Sequence, residues 1–143
     1  MISQQERDLI VQITQSEVSA IGLQAVMETS NPFFLQELAN DYNWDDGLEI
    51  ICAISESKYC DLGVALTIFW LAESIGFLTG EIERNHYNGA WFNLSEKLSA
   101  RISKGEYSIG KVSFEPPLSK VQKYKLLQKG IPEVFLRKVV GVK

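Results

Sequence analysis

The chain has 143 residues and a mass of 16.1 kDa, with 45% apolar and 22% charged residues and only 4 Pro and 10 Gly, a balance too apolar for disorder and too varied for a collagenous or low-complexity chain. A domain of about this length buries roughly two-thirds of its unfolded surface, so a core can form without disulfides or metal. The net charge of −4 conceals a polarised chain: residues 1–100 hold 4 Lys and Arg against 15 Asp and Glu, net −11, while residues 101–143 hold 10 against 3, net +7.

Ser3 and Glu6 have capping-box spacing, and Leu9, Ile10 and Ile13 open an amphipathic helix that either continues or restarts through Val18, Ile21, Leu23 and Val26. Asn31-Pro32 starts a third helix along Phe34, Leu35, Leu38 and Ala39, ending near Tyr42-Asn43. Trp44-Asp45-Asp46-Gly47 opens a fourth through Leu48, Ile51, Cys52 and Ile54, with the acidic pair at the positive end of its dipole. A loop follows from Ser55 to Tyr59. Asp61 then caps a long helix, apolar on nearly every side from Leu62 to Leu78, which belongs at the centre of the fold. Thr67, Glu73 and Ser74 interrupt that run, which is short for a bilayer span, so no membrane association is expected.

Thr79 to Gly89 reads as a polar loop, and Trp91, Leu94, Leu98 and Ile102 restore helical spacing up to a stop at Gly105. Tyr107, Ile109, Val112 and Phe114 around Gly110-Lys111 fit a short β-hairpin within 106–114. After Pro116-Pro117, the apolar stripe Leu118, Val121, Tyr124 and Leu127 marks a last full helix ended by Gly130, and Pro132 begins a short helical tail. The expectation is one all-α domain over 1–143, of about six helices packed around 62–78. The first eight residues carry acids and amides where a secretion signal needs a basic start and an apolar run, so a cytoplasmic location is expected.

No complete catalytic constellation emerges. Asp41-x-Asn43-x-Asp45 spaces oxygens like a calcium loop, but the required glycine is Asp46 and the bidentate glutamate is Cys52. Glu83-x-x-His86, with Glu81 nearby, has the spacing of a di-iron helix pair, but such a site needs two histidines and the chain has one. Cys52 lies on the apolar side of its helix pattern and Cys60 precedes Asp61, whose charge raises a thiol pKa, so both read as buried structural thiols. The basic end, Lys120, Lys123, Lys125, Lys129, Arg137 and Lys138 with Tyr124 and Phe135, reads as a solvated face or a complement to the acidic part, and nucleic acid is not an expected partner. No metal or cofactor is expected.

The sequence Leu38-Ala39-x-x-Tyr42-Asn43-Trp44-Asp45-Asp46-Gly47, followed by Cys60-Asp61-x-Gly63-x-Ala65-Leu66-x-Ile68-Phe69-Trp70, resembles a bacterial family known only as a domain of unknown function, number four-two-seven-four. The resemblance spans about a third of the chain, carries no activity or catalytic residue, and implies a protein-binding role because similar small domains occur as candidate immunity proteins of toxin systems. Capping and packing explain much of the motif: Asp45 or Asp46 at the fourth helix, Asp61 at the fifth, and Gly47 and Gly63 at close helix contacts. Trp44, Asp45, Asp46 and Glu49 remain as the candidate binding cluster. The expected function is a non-enzymatic interaction module with a basic protein partner, such as a toxin. The alternative is a small enzyme or ligand-binding protein built on the acids near Trp44.

Overall fold

The computed structural model describes residues 1–143 and is all-helical, with eight α-helices and two 3-10 turns. Ser3 and Glu6 form their capping box at the start of α1 (Gln4–Gln15). Ser16 ends it: its hydroxyl accepts from the Val18 amide at 3.2 Å, and the chain restarts as α2 (Ala20–Glu28), so the first region is two helices. α3 (Pro32–Asp41) begins where the Asn31 side chain accepts from the Phe33 amide at 3.1 Å, with proline at the first position, and buries Phe34, Leu35, Leu38 and Ala39.

The fourth helix does not open at Trp44. Trp44–Asp46 is a separate 3-10 turn capped by Asn43, and α4 (Glu49–Glu56) starts after Leu48, which supplies no side-chain cap. Gly47 explains the interruption. Its φ of +117° turns the chain away from helix, a conformation glycine adopts without steric cost, and it has no close packing neighbour. Asp45 and Asp46 therefore do not cap α4, and Gly47 does not serve close helix approach.

α5 (Leu62–Leu71) is buried without interruption from Leu62 to Phe69 and packs against α3, α4, α6 and α7. Asp61 caps it, its Oδ1 accepting from the Val64 amide at 3.1 Å. The expected helix to Leu78 breaks at Ala72: Glu73 takes a left-handed conformation (φ 56°), and α6 (Ser74–Thr79) leaves in a new direction. That break delivers Ser74 into the core, where its hydroxyl pairs with that of Ser95 at 2.8 Å. Ser95 lies on α7 (Gly89–Ser103), which also buries Leu94, Leu98 and Ile102.

No hairpin forms within 106–114. The segment lies as a cover over the start of α5: the Leu62 amide donates to the Ser108 carbonyl at 2.8 Å, and the Val112 amide donates to the second Asp61 oxygen at 3.1 Å. The Val112 carbonyl occupies the space a Cβ on Gly63 would need. Phe114 pairs instead with Val139, the two exchanging backbone hydrogen bonds of 2.9 and 2.8 Å in an isolated antiparallel bridge. A local hairpin loses because Gly110 faces the Asp61 carboxylate and accepts from the Val142 amide at 2.7 Å, giving both chain segments partners that the Gly110-Lys111 turn could not supply.

α8 (Lys120–Gln128) has a capping box of Ser119 and Gln122 but no buried residue. The stripe of Val121, Tyr124 and Leu127 thus faces solvent, contrary to the inward face its spacing implied. The second 3-10 turn, Glu133–Phe135, does reach the core: Phe135 stacks on Phe69 with ring centroids 4.6 Å apart, and its carbonyl accepts from Trp70 Nε1 at 3.0 Å. No helix is long and apolar enough to cross a membrane.

Candidate functional site

Trp44 is fixed by two contacts. Its Nε1 donates to the Ala39 carbonyl at 3.1 Å, and its ring lies tilted against Trp91 with centroids 5.3 Å apart, so the turn is pinned between α3 and α7. The Asn43 side chain accepts from the Asp45 amide at 3.1 Å, which spends the oxygen a calcium loop would need. The indole is thereby half-buried while Asp45, Asp46 and Glu49 stay exposed. Glu49 stands in the first turn of α4, where the helix dipole favours a carboxylate, and accepts from the Ser19 hydroxyl at 3.2 Å.

Asp46 and Glu49 form one wall of a cleft of about 400 Å³, together with Tyr42 and Gly47; Thr14 to Ser19, the end of α1 and the turn into α2, form the other. Trp44 and Asp45 are not part of its lining. The structure therefore brings two of the four candidate residues together in a concavity, makes Trp44 the support of one wall and leaves Asp45 on the outer surface. Glu17, Asp46 and Glu49 have no Lys or Arg within ion-pair distance, whereas Glu37, Glu56, Glu81, Glu106 and Glu133 all do, at 4.0 Å or less. Burial, and then the negative charges of Asp46 and Glu49, push the Tyr42 phenol above its ordinary pKa, so at neutral pH it is a hydrogen-bond donor.

Tyr42, Glu17 and Ser19 were not among the sequence candidates. The signal for Glu17 lay in the polar run Gln15-Ser16-Glu17, but only the fold sets that turn opposite Gly47.

The other constellations do not assemble. No three His, Cys, Asp or Glu side chains converge closely enough to hold a metal ion. Glu81 is tied to Lys129 at 3.3 Å, and His86 is exposed against the edge of Tyr87. Both cysteines are free, but only Cys60 is buried; Cys52 is exposed on α4, because Ile50, Ile51 and Ile54 take the inward face. Burial and the neighbouring Asp61 push the Cys60 thiol up to about 12, and burial raises Cys52 against the opposing pull of Lys97, so neither is an activated nucleophile.

A family model described as Domain of unknown function (DUF4274) matches residues 30–103, which run from the start of α3 to the end of α7 and include the wall bearing Tyr42, Asp46 and Glu49. The opposite wall, Thr14 to Ser19, lies outside the match. No curated protein and no solved structure matches the chain.

Proposed function

The chain belongs to the DUF4274 family, which carries no activity in its description, and on that footing we propose that it is a non-enzymatic protein-interaction module of the immunity type, acting in the bacterial cytoplasm, whose acidic cleft receives basic side chains of a toxin-like partner. The observation that carries this reading is the unneutralised set Glu17, Asp46 and Glu49 gathered in one concave cleft, on a molecule that pairs five of its other fifteen acids with a cation. Carboxylates held this way steer a cationic surface toward the cleft and reject an anionic one.

The test is co-purification with the product of an adjacent gene, followed by calorimetry on the pair at low and high salt. D46N/E49Q alters only exposed side chains, so the fold should persist by circular dichroism. The expected loss in affinity is at least about tenfold, or about 1.4 kcal/mol, concentrated at low salt. Absence of any partner, or a complex indifferent to both salt and D46N/E49Q, overturns the reading.

A second reading rests on Tyr42: a phenol oxygen able to accept, beside two carboxylates in a cleft of small-molecule size, fits an organic ammonium. Saturable spermidine binding with a stoichiometry near one, abolished by E49Q, would favour it over the protein partner.

A further inference from the structure

An independent pair of surfaces lies outside the cleft. In α8 the exposures are 62% for Val121, 62% for Tyr124 and 41% for Leu127. At 100° per residue these three share one arc of the helix, with Lys120 in the arc and Lys123 and Lys125 on its two sides. Lys120 and Lys125 have no carboxylate within ion-pair distance, while Lys123 and Lys129 hold the helix to Glu133 and Glu81 at 3.9 and 3.3 Å. α8 is thus moored from one side and presents an apolar stripe flanked by cations to solvent.

The complementary shape is on the first two helices. Between α1 and α2 lie two adjoining hollows of about 360 and 160 Å³, floored by Leu9, Ile21, Ala25 and Phe34 and rimmed by Glu6 and Glu28. Neither glutamate has a cationic partner within ion-pair distance; Glu6 bonds to Ser3 and Asn31, and Glu28 to Gln24.

We propose that the α8 face of one copy docks into the α1–α2 groove of a second copy, Val121, Tyr124 and Leu127 entering the hollows and the lysines facing the glutamate rim. An amphipathic helix laid in an apolar groove is a standard recognition geometry, and the charge signs select this occupant: the basic C-terminal part of the chain meets the acidic N-terminal part. The contact is heterologous, since the docking face and the groove are different patches, so each copy retains a free end and association continues head to tail. A single short helix covers less area than a stable dimer interface needs, which makes the assembly weak and dependent on concentration.

Sedimentation equilibrium of the full chain tests this directly. The expected result is a weight-average mass that climbs beyond a dimer with concentration at about 0.05 M salt, with association at least about tenfold weaker at about 0.5 M. Y124E/L127E, whose side chains are exposed, should remain helical by circular dichroism and stay monomeric. Q24K/E28K should be monomeric alone, and K120E/K125E likewise, while a mixture of these two regains association. A monomer at every concentration in low salt, a discrete salt-insensitive dimer, association unchanged in Y124E/L127E, or a monomer whose α8 face binds anionic vesicles or nucleic acid instead would each overturn the proposal.

Discussion

Asp61 spends both carboxylate oxygens on backbone amides, one at Val64 inside α5 and one at Val112 on the covering segment. It therefore couples a helix start to a distant stretch of chain, and Gly63 two residues on leaves room for the Val112 carbonyl. Losing an N-cap costs typically about 1 kcal/mol, and losing a second partly buried hydrogen bond a similar amount, so D61A should lower unfolding stability by about 2–3 kcal/mol in urea titrations. D61N, which keeps one acceptor oxygen, should lose about half of that. A D61N variant as stable as the parent would mean that the second oxygen contributes nothing. The capping role of Asp61 was legible from its place before an apolar run; the second bond was not, because nothing local in sequence ties residue 61 to residue 112. Asp45 and Asp46 show the converse. They precede an apolar run as Asp61 does, but Gly47 separates them from α4 and frees them for the surface.

At the level of elements, what the sequence showed best was periodicity backed by a cap, as in α1, α3 and α5. Hydrophobicity misled in two places, each beyond a well-formed N-cap. The apolar run from Leu62 to Leu78 looks continuous, yet Glu73 adopts φ 56°, a strained choice for a side chain with a Cβ, because the break aims Ser74 at Ser95. Glycine relieves that strain, so E73G should raise stability by about 0.5–1 kcal/mol, against the usual destabilisation by glycine, as read from the thermal midpoint. A lower midpoint would show that Glu73 is not under strain. In α8, helical spacing was correct but the inferred side was wrong: spacing identifies a shared face and says nothing of what covers it. The cleft was only half visible for the same reason. Asp46 and Glu49 stand beside a motif that draws the eye, but their opposite wall is a polar turn distant in sequence.

For the whole molecule, the polarised charge resolves into acids that are paired within the fold and acids that are not. Its alkaline behaviour follows from buried weak acids. The Cys60 thiol is raised from its ordinary value near 9 to about 12 by burial and by Asp61, and burial also raises the Tyr107 phenol, which donates to the Ser55 carbonyl at 3.0 Å. Above pH 9 the unfolded chain gives up protons that the folded chain retains, so stability is intact below that pH and declines as pH rises toward 12. Urea midpoints should fall steadily over that interval, and Y107F should be less stable at neutral pH yet show a shallower alkaline decline. A midpoint that holds constant would contradict the burial of both groups. The family match stops at residue 103, but α5 is finished by groups beyond it: Ser108 and Val112 close its first turn, and Phe135 closes its last through Phe69 and Trp70. The matched segment is therefore not modular. Transplanted alone into another protein, residues 30–103 would carry their central helix with both ends uncovered, so a recombination event that moves this family intact must bring the stretch from Tyr107 to Val139 along or supply another cover for the same helix.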